Sequence, residues 1–357
     1  MMDFARFRPA RILHSARRRL AAMAKRRFGQ QPEGRARQLA GLSLGQLKGR
    51  IAPPRFSVTF SDRMVYRRDA IYRRDGTGYV LELPTFEFGH ASLDKAWELG
   101  PAYLYWLMHC PTEVECLKVT LSDGDAPSAG RFAPSTNRTD IVPIPDPYFF
   151  RFSGFEAFRR LAERESVAWG DRSDDIVWRG ASSGDGTFDP VLGAQQPMRA
   201  AQRLELILAA QNVPGVDAGL AHYRRDELKA EILERAGVLK QPIAEESWAR
   251  SKFAIDVDGQ TNTWSNLIVR MHLGCCVLKL DSKYGYRQWY YDRLRPWEHN
   301  VPVKADASDL GERVDWLRSN DARAREIAAN GQQLARSLSF EAGRREAVDL
   351  ITTHWRY

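Results

Sequence analysis

Residues 253–280 read FAIDVDGQTNTWSNLIVRMHLGCCVLKL, and the fold class follows from this stretch. Phe253-Ala-Ile-Asp-Val257 is an apolar run of strand length, Trp264 to Leu273 repeats its apolar residues at helical spacing, and Gly274 ends that helix. Cys275 to Leu280 then resumes as a second apolar strand. Strand, loop, helix, glycine and strand in so few residues make a βαβ unit, which places the chain among the α/β proteins.

The same rhythm extends in both directions. Upstream, Phe56–Phe60, Tyr79–Leu83, Cys116–Leu121, Asp140–Ile144 and Asp175–Trp178 read as strands bounded by Gly, Pro or polar residues, and Ala91–His109 reads as a helix. Closer to the unit, Leu204–Ala210 and Arg225–Ala236 read as helices and Glu245–Ser251 as a short one. Downstream, Asn300–Lys304 reads as a strand, Ser308 as an N-cap, and Asp309–Tyr357 as helices broken near Ser337–Ser339. There is no internal repeat and no low-complexity tract.

The whole chain has 357 residues, 43% apolar and 27% charged, the composition of a folded protein of about two domains. Its formal charge of +8 is unevenly placed: residues 1–40 hold eleven Lys or Arg against Asp3 and Glu33, and the remainder is nearly neutral. A protein that reads nucleic acid spreads positive charge over a folded face, so that class is set aside. Leu13, Ala16, Leu20 and Met23 fall at helical spacing beside Arg17-Arg18-Arg19 and Lys25-Arg26-Arg27. The arm can therefore lie on an anionic membrane surface, or equally remain a solvated basic tail. Residues 1–30 lack the apolar core of a secretory signal, and no apolar run reaches membrane-spanning length. The expectation is a cytoplasmic protein, peripheral on the inner membrane if the arm binds lipid. Cys110, Cys116, Cys275 and Cys276 form no CxxC pair, which agrees with a reducing compartment.

In an open α/β sheet, ligands collect beyond the carboxyl ends of the strands. The loop Asp258-Gly-Gln-Thr-Asn-Thr263 is such a place. Gly259 lets a ligand approach the backbone, and Thr261, Asn262, Thr263 and Ser265 offer donors at a helix start, which suits a diphosphate. The alternative is that Thr263 merely caps the helix. After the strand ending at Trp178, Arg179 and Gly180 precede Ser182 and Ser183, where a guanidinium can grip a phosphate or form an ordinary ion pair. The loop Ser122-Asp-Gly-Asp-Ala-Pro127 can hold Asp125 at a cleft as a general base or leave it a solvated turn carboxylate. Asp123-Gly-Asp125 and Asp256-Val-Asp258 can also hold a divalent cation, whereas the histidines show no zinc-binding spacing.

Taken in order, Trp178-Arg-Gly180, Lys252–Gly259, Thr263-Trp-Ser265, His272-Leu-Gly274, Tyr290–His299 (YYDRLRPWEH) and Val301-Pro-Val-Lys304 resemble glycosyltransferase family 90. That family includes capsule-associated and lipopolysaccharide-modifying proteins and the protein O-glucosyltransferases. The resemblance implies a GT-B arrangement of two Rossmann-like domains facing a cleft, expected at 41–190 for the acceptor side and 191–357 for the donor side. The last helices are expected to pack back on the first domain. It also implies a UDP-sugar donor, a glycan or glycolipid acceptor, inversion at the anomeric carbon and no required cofactor or metal. Asp125-Ala-Pro127 is similar to the family's catalytic-base loop, Arg179 matches its donor-site Arg, and Gly259 and Ser265 match the nucleotide loop. One departure stands out: Leu267 occupies the position where relatives carry an Arg. Arg179, Lys252 and Arg270 are then the candidates to neutralise the diphosphate. Two other readings stay open: a metal-dependent GT-A-like enzyme using Asp123 and Asp125, and a non-catalytic sugar-nucleotide or glycan-binding protein.

Overall fold

The computed structural model describes residues 32–85, 93–165, 167–222 and 227–356. The basic segment through Lys25-Arg26-Arg27, with its membrane expectation, lies outside them. Within the described residues, the chain begins with helix α1 (Pro32–Leu47) and then builds a six-stranded mixed sheet in the order β1-β3-β2-β4-β5-β6. These strands are Arg55–Ser61, Asp69–Asp75, Gly78–Pro84, Cys116–Thr120, Phe132–Ala133 and Val142–Pro143 for β1 to β6. Strand β2 runs against its neighbours β3 and β4; the other pairs are parallel.

Strand β2 is absent from the sequence reading, because Arg73, Arg74 and Asp75 break its apolar alternation. Its position has a tertiary cause. The Arg74 guanidinium donates to the carbonyls of Leu107, Cys110 and Val114 at 3.0, 2.7 and 3.0 Å. It thereby satisfies the exposed C-terminal end of helix α2 (Leu93–His109). Helix α2 buries Leu99, Tyr103, Trp106 and Leu107 against this sheet. The strand expected over Asp140–Ile144 shrinks to two residues.

Two short helices, α3 (Pro147–Arg151) and α4 (Glu156–Glu165), lead to a parallel sheet. It contains β7 (Ile176–Ala181) and β8 (Val216–His222), with helices α5 (Pro190–Gln195) and α6 (Gln202–Ala210) between them and α7 (Glu227–Arg235) after β8. Strands β9 (Phe253–Asp256), β10 (Cys276–Leu280) and β11 (Val301–Val303) follow, with helix α8 (Asn266–His272) joining β9 to β10. Strand β7 pairs with β8, and β10 pairs with β9 and β11, all in parallel. A parallel bridge between Ser173 and Ser251 brings the starts of β7 and β9 together, and another joins Leu220 to Leu239 at the far edge. With the Ser173–Ser251 bridge the five strands lie in the order β8-β7-β9-β10-β11, all parallel, and the chain order reverses between β7 and β9, as in doubly wound nucleotide-binding folds. Strand β8 escaped the sequence reading because VDAGLAH carries too few bulky residues.

The βαβ unit is present as expected, with a shorter helix. Leu267, Ile268, Val269, Met271 and Leu273 are all buried, so α8 is enclosed on every side between the sheet and helix α10 (Asp321–Ser337). Helix α9 (Leu310–Ser319) precedes α10, and α11 (Phe340–His354) follows it. Ser308 is not the cap expected: Asp309 precedes the helix and accepts from the Lys304 amide at 2.9 Å. Ser339 caps α11 through the Ala342 amide. Glu245–Arg250 forms a 3-10 turn.

The expected boundary at 190 needs correction, since β7 already belongs to the parallel sheet. The last helix packs back on the first half, as expected of it. Ala347 and Ile351 of α11 lie in the apolar core of the first sheet, and the Phe340 ring stands within 6.2 Å of those of Phe149 and Phe150. Where both core and return helix span the two halves, sliding one half alone exposes apolar surface.

Candidate functional site

The reversal of strand order opens a crevice at the carboxyl ends of β7 and β9. Gln260 Nε2 reaches Asp185 Oδ1 across it at 2.7 Å, and a Cβ on Gly184 would stand 3.1 Å from the Gly259 carbonyl oxygen. The first sheet supplies the opposite wall through the loop after β4. There Gly124 holds a φ of +97°, and a Cβ would overlap the Ser135 carbonyl, so glycine alone lets the loop press against this neighbour. Ser135 in turn donates to Asn262 Oδ1 at 2.7 Å. Gly124, Ser135 and Asn262 thus connect the Asp125 loop to the β9 loop through contacts between buried residues.

Asp125 is exposed, yet surrounding protein desolvates its carboxyl and raises its pKa; Asp123 and Asp185 push the same way and Arg68 opposes them. The Tyr286 phenol is raised by burial first and then by Asp125, Asp185 and Asp258. Carboxylates from three separate loops therefore act on one side chain. Two backbone hydrogen bonds between Thr136 and Arg287, at 3.1 and 2.8 Å, hold this corner together, with Asn137 Nδ2 on the Tyr284 carbonyl at 3.1 Å.

The three cations expected to meet a diphosphate do not reach this crevice freely. Arg179 is engaged by the Asp217 carboxylate, and its guanidinium also donates to the carbonyls of Trp178, Asp217 and Gln241. Lys252 precedes β9 and pairs with Asp174 and Asp321 at 2.8 and 3.1 Å. The four-residue strand carries it about 13 Å from the loop end of the sheet. Arg270 sits in the last turn of α8, against Glu245 at 2.7 Å and 3.7 Å from the Trp248 ring centroid.

Several expected donors are also committed to the fold. Asn262 Nδ2 donates to Asp258 Oδ1 and to the Tyr286 carbonyl, both at 3.1 Å. Thr263 Oγ1 donates to Asp256 Oδ1 at 2.6 Å, so it fastens the loop to β9 instead of capping α8. Thr261 is buried, and its carbonyl closes a turn with the Gly259 amide at 2.8 Å. Ser265 precedes α8 without a side-chain cap bond. Burial raises the Asp258 carboxyl pKa and neighbouring Asp256 adds to it, with Lys279 opposing. Gly180 lies on β7 over the Trp178 ring, and the buried Ser182 hydroxyl, next to the crevice, has no protein partner.

A residue missed in the sequence stands between the loops that follow β7 and β9. Arg203, in the first turn of α6, donates through Nε to the Asp258 carbonyl at 3.0 Å and through Nη1 to the Ala181 carbonyl and Ser183 Oγ at 2.9 and 2.7 Å. It joins the β7 and β9 loops. A Cβ on Gly259 would lie 2.7 Å from Arg203 Nη2 and 2.8 Å from Ser183 Oγ. Burial pushes the guanidinium down to about 10, with Asp256 and Asp258 opposing, so it stays charged at neutral pH. The available signal was an arginine in the midst of Leu204, Leu206 and Ile207 on a short apolar helix.

Among the described residues no cluster of three or more His, Cys, Asp or Glu is placed to hold a metal ion. Asp256 is fully buried and turned to Thr263 and Asn266, so Asp256-Val-Asp258 does not present a pair of carboxylates to one ion. His272 is buried, and its imidazole is pushed down to about 4. The vicinal thiols are buried, Cys275 raised to about 11. No described helix is long and apolar enough to cross a membrane.

The model of the family described as Glycosyl transferase family 90 matches residues 158–342, more than half of the chain. The chain belongs to glycosyltransferase family 90. The matched region contains the whole parallel sheet and the crevice between β7 and β9. Human Protein O-glucosyltransferase 3 is 33% identical over 138 residues, 38% of this chain and 26% of its own length. Uncharacterized protein 179R of Invertebrate iridescent virus 6 is 31% identical over 179 residues, 46% of this chain and 15% of its own length. The family 90 chain thus spans about a quarter or less of the length of these relatives. Anabaena Alr3699/HepE, solved with UDP-glucose, is similar over 56% of this chain and 53% of its own at 12% identity and a TM-score of 0.35.

Proposed function

We propose that this chain is an inverting glycosyltransferase of GT-B type, moving a hexose or pentose from a UDP-sugar to a hydroxyl of a bacterial lipopolysaccharide or capsule glycan precursor. One observation supports the reading: the Asp125 loop of the first sheet is joined to the Gly259 loop of the second through Gly124, Ser135 and Asn262, and Asp125, Asp185 and Asp258 all act on the Tyr286 phenol. The family membership supports sugar transfer as the chemistry. The reversal of strand order between β7 and β9 supports a nucleotide seated there.

In this reading the nucleotide lies along Gly180, Ser182, Asp258, Gly259 and Ser265, and the acceptor enters beside Asp125. The Asp125 carboxylate takes the acceptor hydroxyl proton as the oxygen bonds to the anomeric carbon. The bond from that carbon to the UDP oxygen breaks on the opposite face, which inverts the centre and releases UDP. A carboxyl with a raised pKa is a stronger base once ionised. No second carboxylate and no metal ion is assigned a step. The basic segment through Lys25-Arg26-Arg27, which precedes helix α1, is proposed to meet an anionic membrane surface and so hold the enzyme at the inner membrane; the arm expected at 1–40 is cut short by α1, which buries Leu39 and Ala40 in the first core.

A panel of UDP-sugars scored by thermal shift, followed by transfer assays with Asp125→Asn, tests the proposal. One UDP-sugar should raise the melting temperature. The variant should bind that donor as the parent does and lose transfer. No shift with any UDP-sugar, or full transfer by the variant, overturns the reading.

A further inference from the structure

We propose that the loop joining β1 to β2, Asp62-Arg-Met-Val-Tyr-Arg-Arg68, docks on an anionic lipid surface, so that the acceptor reaches Asp125 as a glycolipid held in that surface and not as a free glycan. The docking needs no other premise; the statement about the acceptor rests on the catalytic reading above. Strand β2 runs against β4 with Asp69 opposite Thr120, so the loop before β2 stands at the same end of the sheet as the Asp125 loop after β4. The two loops are stitched together. The Arg68 carbonyl accepts from the Leu121 amide at 2.5 Å, and the Asp69 carboxylate accepts from the Ala129 amide at 2.9 Å and from the Ser128 hydroxyl. Arg68 lies close enough to Asp125 for its charge to oppose the rise in that carboxyl's pKa.

The tip of the loop is apolar and exposed. Val65 is 81% exposed and Tyr66 beside it 38%, with Met64 half-buried before them. Arg63 and Arg67 are exposed on either side and Arg68 is half-buried, against a single carboxylate in the segment, Asp62. Apolar side chains ringed by guanidinium groups match the two layers that a membrane offers, acyl chains beneath and headgroup phosphates above. Tyr66 suits the boundary between them, with an apolar ring and a polar hydroxyl. A free phosphate or an acidic peptide would engage the arginines and leave Val65 in water. The Asp69 amide on the Tyr66 carbonyl at 3.2 Å, and the Arg63 amide on Ser61 Oγ at 3.3 Å, close both ends of the loop, so docking requires little further ordering. With its tip among the headgroups, the loop brings the neighbouring Asp125 loop to the same surface.

Sedimentation of the full chain with vesicles tests this, comparing phosphatidylglycerol mixed with phosphatidylcholine against phosphatidylcholine alone. The parent should bind the first and much less of it the second. Val65→Ser combined with Tyr66→Ser should weaken that binding about ten-fold, the worth of the apolar surface withdrawn from lipid. The melting temperature should not change, since both side chains are exposed. A second measurement separates the loop from the basic segment before α1. Val65→Trp should gain fluorescence that brominated phosphatidylcholine, mixed into the anionic vesicles, quenches. Ile232→Trp, at a position 51% exposed on α7 in the other half, should gain fluorescence that it does not quench. Unchanged binding by the double variant, or equal quenching or none at both positions, overturns the proposal. So does a parent that is a dimer in solution when the double variant is a monomer, for a second copy of the chain would then cover the loop. No nucleotide enters these assays, so their failure leaves the donor and Asp125 readings standing. Full transfer by Asp125→Asn would remove the catalytic reading and leave the docking in place.

Discussion

Replacing Asn262 by Ala separates two views of the residue, one in which it touches a ligand and one in which it holds the molecule together. Its side chain joins Ser135 on the first half to Asp258 and the Tyr286 carbonyl on the second, at 2.7, 3.1 and 3.1 Å, and only 5% of it is exposed. Alanine leaves the fully buried Ser135 hydroxyl and the Tyr286 carbonyl unpaired and removes a donor from a buried carboxylate. Each orphaned buried group costs about 1–3 kcal/mol, so the expected loss is about 3 kcal/mol or more, a large share of the ~5–15 kcal/mol of a typical domain. Urea unfolding followed by tryptophan fluorescence reads this directly. Asn262→Asp should do worse at pH 8 than at pH 5. A second carboxylate beside Asp258 favours protonation of the native state, so its stability falls as pH rises. An Asn262→Ala variant within about 0.5 kcal/mol of the parent, but with weakened UDP binding, would refute the clamp and restore the ligand contact.

Other expectations concern charge and pH. Asp125→Asn should lower the turnover rate by at least about 100-fold in a transfer assay. Its melting temperature should hold or rise, because Asp123 and Asp185 already oppose the native carboxylate. Asp146 accepts the Tyr148 and Phe149 amides at the start of α3, and full burial raises it from 3.8 to about 7. Here the native state favours the protonated form, so its contribution is complete below the unfolded pKa and is lost as pH rises from about 4 to 7. The loss amounts to about 4 kcal/mol at most. The parent should therefore lose stability relative to Asp146→Asn over that window in pH-stepped urea titrations; parallel curves would contradict it. Lys252→Met and Arg270→Met should destabilise the fold and leave UDP affinity within about twofold by calorimetry, because both side chains lie away from the crevice.

Much of the architecture was legible along the chain. The βαβ unit at 253–280 is read from local apolar patterning and Gly274, and so are the strands near 56, 79 and 116, because short-range periodicity records which face is buried. The motifs around Trp178, Gly259, Tyr290 and Val301 pointed to the family, and the matched region 158–342 contains them. Strands β2 and β8 were not legible: one is charged and anchored through Arg74 to the end of α2, the other is built from small residues, and both are selected by partners distant in sequence.

The site divides in the same way. Sequence alone identified which loops follow strands, and hence that the Asp125 and Gly259 loops are candidates for a site. It did not determine which polar groups in those loops remain free. Asn262 and Thr263 are spent on Ser135 and Asp256, Arg179 on Asp217, and Lys252 on the opposite end of the sheet, whereas Arg203, which the sequence reading passed over, ties the β7 and β9 loops together. Patterning is local because side-chain direction repeats along the backbone. The pairing of charges and hydrogen bonds is decided by distances of a few ångströms between residues from seven to more than a hundred positions apart, and those distances exist only once the chain has folded.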